Sequence, residues 1–211
     1  MSLGARRLTS PDGVTHTFDS GSFALELLLT GGPPPWDRYE ILHAPEALED
    51  WLTGSHLALE LPFAKEQVNI APDELDRIKE FREALWRMVP ALIGGKKVPG
   101  VRPSLAAQDL EIVNRAVGPL PRPQLSADGT KQWELPITGT QVLGAAAREM
   151  VDLIGTERSR RVRICEGENC YLMFYDTSRP GNRRWCSMQR CGNRHKVGKY
   201  RSRHFDAQAS A

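Results

Sequence analysis

Apolar positions recur along the chain at helical spacing and are interrupted by short glycine- and proline-rich breaks, a pattern that predicts more helix than strand. The polar opening carries the turn signal Pro11-Asp12-Gly13, with a short strand expected near Thr15 to Phe18. Phe23 to Leu29 reads as a helix, closed by Thr30 and Gly31-Gly32-Pro33-Pro34-Pro35, where glycine and proline forbid continuation. Tyr39 to Leu42 suits a small strand or a helical turn, and Pro45 to Leu52 a short helix with Trp51 turned inward. The clearest helix runs from Pro72 to about Ile93. Pro72 fits its first position, Asp73, Glu74 and Asp76 face the positive end of its dipole, and Leu75, Ile78, Phe81, Leu85 and Leu92 repeat along one face. Pro90 is expected to kink it or end it early.

Gly94-Gly95-Lys96-Lys97 follows a helix and precedes Val98-Pro99-Gly100, so it reads as a helix cap and loop and not as a phosphate-binding loop. Ser104 is placed to cap a helix to about Val117, with Leu105, Leu110, Ile112, Val113 and Val117 inside. Pro123 to Leu125 and Lys131 to Pro136 predict a hairpin around Ser126-Ala127-Asp128-Gly129, with Trp133 inward. Thr138-Gly139-Thr140 caps a last helix, Gln141 to Ile154, whose apolar face includes Val142, Leu143, Ala146, Met150, Val151 and Ile154. The fold class expected is α+β: a mostly helical N-terminal domain over residues 1–156 with a small β-hairpin, then a second domain over residues 157–211.

Charge marks the division. Residues 157–205 carry 13 Arg and Lys against 4 acidic side chains, whereas the whole 211-residue chain is only +2. The same basic segment holds all four cysteines, Cys165, Cys170, Cys186 and Cys191, in the spacing C-x4-C-x15-C-x4-C. Two short-spaced thiolate pairs each clamp one edge of a tetrahedron, so the pattern points to structural Zn2+ holding a segment too small for its own core. Two disulfides or four inert thiols are the alternatives. The chain shows no export signal, which implies a reducing cytoplasmic setting and favours the metal. No stretch approaches the 18 or so apolar residues of a membrane span.

Val162 to Cys165 and Tyr171 to Tyr175 read as strands flanking the first cysteine pair, and a terminal helix begins at Ser187 or Cys191. Hairpin, second pair and helix together resemble a treble clef. On that helix Arg194 and Arg201 lie within about 40° of Arg190, while Lys196, Lys199 and Arg203 face the other way. With Arg183 and Arg184 these cations suit a polyanion, because each phosphate contact releases counterions. Asn193 and Arg194 have the groups that read base edges; capping of the knuckle by Asn193, and bonding of Arg194 to a thiolate or carbonyl, are the structural alternatives. Four cysteines leave zinc no open position and no H-E-x-x-H motif is present, so catalysis is not expected.

Trp185 to Lys196, WCSMQRCGNRHK, resembles the CGNR-type zinc finger found at the C-terminus of bacterial transcription regulators, where it follows an N-terminal domain called ABATE. Cys191, Gly192, Asn193 and Arg194 match the name-giving tetrapeptide, and the four cysteines fall at the family's ligand positions. The resemblance implies zinc binding, DNA binding and a stress-linked regulatory role. In the DNA-binding regulator so expected, the helical N-terminal domain senses a small molecule, forms a homodimer or does both, a two-fold dimer suiting paired half-sites. Where the ABATE pattern has Leu-Asp-apolar-apolar-Asn-Thr, this chain has Leu25-Glu26-Leu27-Leu28-Leu29-Thr30, so Glu26 is expected on the solvated side of a core helix. An RNA- or protein-binding adaptor is the other function class the finger allows.

Overall fold

Alternation of His16 and Phe18 with threonine and aspartate gives a strand with one buried face, and its partner is a segment the pattern did not single out. In the computed structural model, which describes residues 4–10, 12–94, 96–198 and 200, β1 (Ala5–Thr9) pairs antiparallel with β2 (Thr15–Asp19), Ala5 opposite Asp19 and Thr9 opposite Thr15. The β1 sequence Ala-Arg-Arg-Leu-Thr has no apolar alternation to announce it.

Ser22 caps α1 (Phe23–Glu26) by accepting from the Leu25 amide, and the chain then tightens into a 3-10 turn over Leu27–Thr30. Glu26 is not solvated as expected but fully buried. Its carboxylate accepts from Arg6 Nε at 2.5 Å and from the His56 backbone N–H at 2.8 Å, and it lies 2.7 Å from His56 Nδ1. A buried charge needs such partners, and these come from β1 and from a distant 3-10 turn, His56–Leu59, beyond the reach of local periodicity.

α2 (Pro45–Leu52) leads to β3 (Val68–Asn69) and then to α3 (Pro72–Ile93). Pro90 does not end α3 early, since the helix runs on to Ile93. It is buried, and the amide it lacks falls in the final turn, which Gly94 closes at φ +68°. α4 (Ala107–Ala116) is capped at Ala106, two residues after the expected Ser104, because Ser104 uses its hydroxyl on the Ala106 amide just ahead of the helix. Ile112 and Val113 are buried, but Leu105, Leu110 and Val117 are exposed: this short helix lies at the surface and turns only a narrow face to α3 and α5.

β4 (Pro123–Leu125) and β5 (Lys131–Trp133) form the expected hairpin, and buried Trp133 donates from Nε1 to the Leu61 carbonyl at 2.8 Å. β6 (Ile137–Thr138) pairs parallel with β3 and leads into α5 (Gly139–Ile154), capped by Thr138. The Glu74 carboxylate, in the first turn of α3, also accepts from the backbone amides of Gly139 and Thr140 and so joins the starts of α3 and α5. Val151, placed inward by the pattern, is exposed. A 3-10 turn, Glu157–Arg161, reaches β7 (Val162–Ile164), which pairs antiparallel with β8 (Met173–Tyr175).

One apolar core gathers side chains from α1 to α5 and continues into Val162, Ile164 and Met173 of the last hairpin. A second, smaller cluster joins the four cysteines to Phe174 and to Phe18 of β2. Among the described residues no helix is long and apolar enough to cross a membrane.

A four-cysteine metal centre and its surroundings

β7 ends one residue before Cys165, the knuckle Glu166–Asn169 turns the chain back to Cys170, and Ser187 caps a wide turn, Met188–Gly192, that presents Cys191. The four sulfurs lie within 4.8 Å of one another and all four residues are buried. Cys186 Sγ is 3.6 Å from Cys170 Sγ and 3.5 Å from Cys191 Sγ. Tetrahedral zinc with Zn–S bonds of about 2.3 Å places sulfurs about 3.8 Å apart, so the cage fits the ion. The backbone amides of Cys186 and Gly167 point at Cys165 Sγ from 3.2 and 3.5 Å, as a thiolate requires. A Cβ on Gly167 would stand 2.7 Å from Cys191 Sγ, so the knuckle has room for glycine alone.

By themselves four clustered sulfurs cannot all ionise. Hydrogen bonds from Cys170 and the other two thiols pull Cys165 down towards the thiolate, and by donating to Cys165 the Cys170 and Cys186 thiols are themselves pushed up, burial adding to the shift. A divalent cation removes that conflict and takes all four as thiolates. The four cysteines form a Zn2+ site, and four sulfurs fill a tetrahedral coordination sphere.

The surroundings replace apolar core with cations donating to backbone oxygens. Arg183 donates to the carbonyls of Trp185 (2.9 Å), Cys186 (2.5 Å) and Asp19 (3.2 Å), with its guanidinium over the Phe174 ring. Arg161 donates to the Asp176 and Ser178 carbonyls. Arg190, only 6% exposed, reaches Cys191 Sγ at 3.7 Å and Asp12 at 3.4 Å. Lys96, beyond the C-terminus of α3, inserts its ammonium into the first knuckle. There it donates to the carbonyls of Cys165 (3.1 Å), Cys170 (2.7 Å) and Gly167, and lies over the Tyr171 ring.

Arg183 and Arg190, expected at a nucleic-acid surface, are thus turned inward, because each has backbone oxygens or a sulfur at hydrogen-bond distance. The side chains facing outward are Arg184, paired with Glu166 at 2.6 Å; Arg194, paired with Asp12 at 3.0 Å; and exposed Asn193 and Lys196. Asn193 also donates to the Gln189 carbonyl. Lys199, Arg201 and Arg203 lie outside the described residues. Sequence reasoning missed Lys96, Asp12 and Phe18 as parts of this centre. No local signal finds them, since all three come from segments far from the cysteines in sequence.

Residues 161–204 match the family model "CGNR zinc finger". Residues 21–157 match the ABATE family model, described as "Putative stress-induced transcription regulator". No curated protein matches the chain. The zinc cage lies inside the first match and the helical core inside the second, which covers well over half of the sequence; the chain belongs to the ABATE family and carries a CGNR zinc finger in its C-terminal part.

Proposed function

We propose that the protein is a zinc-dependent DNA-binding transcription regulator, acting in the cytoplasm in a stress response, with the N-terminal domain as its sensor. The observation that carries this reading is the surplus of cations next to a helix whose start is fixed by the metal. Arg184, Arg194 and Lys196 face outward from the finger, and the basic run Lys199, Arg201 and Arg203 continues the same sequence. Phosphates displace the weak surface pairs with Glu166 and Asp12 at little cost, since exposed ion pairs contribute about 0–1 kcal/mol. A treble-clef-like arrangement of hairpin, second cysteine pair and helix suits such a grip. The closed all-sulfur coordination gives zinc a structural role, and no catalytic role is proposed. A two-fold dimer would let the protein read paired half-sites; a single monomeric species in light scattering at all concentrations removes that part.

The test is anisotropy of zinc-loaded protein with mixed-sequence duplex DNA at about 50 and 200 mM salt. Binding that falls steeply with salt, and is lost in Arg201→Ala with Arg203→Ala, is expected. Absence of binding at the lower salt overturns the DNA assignment. The second reading, a protein- or RNA-binding adaptor, is favoured by exposed Met188, Val197 and Tyr200 on the same terminal segment.

A further inference from the structure

A cavity of about 490 Å³ opens where the ABATE part meets the first zinc knuckle, a volume typical of sites that enclose small organic molecules. Its floor is aromatic. Trp36 stacks on Trp86 with centroids 5.4 Å apart and meets the Tyr171 ring edge-on at 5.3 Å. Both indole N–H groups are already used, on the Pro99 and Gly31 carbonyls, so these rings offer faces and not donors.

The polar lining has one sign. Its charged side chains are Arg7, Arg38 and Arg190, beside His16, whose pKa burial lowers, and among the described residues it has no aspartate or glutamate. His16 is 3% exposed, and among the described residues neither of its ring nitrogens meets a hydrogen-bond partner at good geometry, the Val14 backbone being the group nearest to offering one; Nε of Arg190 is buried and without such a partner as well. Leaving such groups buried without partners costs about 1–3 kcal/mol each, which a ligand acceptor in the cavity would recover. Arg7 stands exposed at the rim, and among the described residues it has no ion-pair partner and the Arg38 guanidinium has only the Tyr39 ring.

We propose that this cavity binds a small flat organic anion, a one- or two-ring aromatic carboxylate, with its ring against Trp36 and its acid group among Arg7, Arg38, His16 and Arg190. The site belongs to neither half alone. Asn169, Cys170 and Tyr171 form its wall on the finger side, and Arg190 touches both the cavity and Cys191 Sγ. Occupancy therefore fixes the chain at two of the four zinc ligands and slows metal loss. The inference extends the sensor half of the proposed function and is independent of the DNA half, which the salt-dependent anisotropy test decides separately.

The experiment is calorimetric titration of the full zinc-loaded chain with benzoate, 2-naphthoate, 2-naphthamide and 2-naphthylmethylammonium, alongside the rate of zinc transfer to a chelator. Expected are saturable binding of at least one carboxylate, a preference over the amide and the ammonium of about tenfold or more, and severalfold slower zinc transfer when bound. Arg7→Ala with Arg38→Ala, both surface changes, should erase the preference, and Thr9→Trp, which fills the cavity from β1, should abolish binding. No binding by either carboxylate at millimolar concentration, equal binding of acid and amide, or undiminished binding in Thr9→Trp overturns the site. Binding without any change in zinc transfer overturns the coupling to the finger.

Discussion

The ABATE region and the finger solve the same problem with opposite chemistry. Around α3 and α5 the chain is held by apolar burial: Ile78, Phe81, Leu85 and Ala146 are fully buried, and the few inward charges such as Glu26 and Arg82 are paired. Around the cysteines there is little to bury beyond Phe18 and Phe174. Metal, arginine-to-carbonyl hydrogen bonds and one lysine from the other region take the place of a core. The contrast bears on how basic charge is read. A positive surplus in a small metal module is partly structural, because guanidinium groups tie together a backbone that no sheet or helix satisfies, and only the remainder is available to a partner.

Removing the metal is the strongest way to break the comparison. Cys186→Ser, or exhaustive chelation, should abolish stoichiometric zinc and unfold the finger while most helical circular dichroism survives at a lower Tm. Simultaneous loss of the helices would show that the shared residues Val162, Ile164 and Met173 make the two regions one cooperative unit.

A smaller effect is expected at the bridge between them. Lys96→Ala leaves three knuckle carbonyls without their cation and should cost about 2–3 kcal/mol in denaturant unfolding. It should also speed zinc transfer to a chelator; an unchanged rate would mean that the lysine merely fills space.

The smallest effect lies in the N-terminal network. Burial pulls His56 down, but its hydrogen bonds to Asp19 and Glu26 outweigh that and hold it at about 9, above its ordinary value of 6.5. A raised folded-state pKa gives stability that is complete below about pH 6.5 and lost as pH rises through about 9. Unfolding free energies of the native chain should therefore fall by on the order of 1–2 kcal/mol over that window relative to His56→Gln. Parallel pH profiles for the two proteins would remove His56 as the source.

Much of the helical part was legible because its signals are local. Pro72 and Gly94 bracket α3, Thr138 caps α5, and the Asp128-Gly129 turn sets the β4–β5 hairpin, each through backbone rules that act within a few residues. What failed was burial at a distance: Val151 and Leu110 fit an apolar face yet are exposed, and Glu26 is enclosed by groups from residues 6 and 56. The sequence by itself determined the metal centre, since four cysteines in two short-spaced pairs can meet around one ion with almost any intervening chain. Which cations face outward, how Lys96 and Asp12 reach the finger, and where an aromatic cavity opens were decided only by the tertiary structure. Those features depend on the meeting of segments 69 to 178 residues apart, and no periodicity encodes such a meeting.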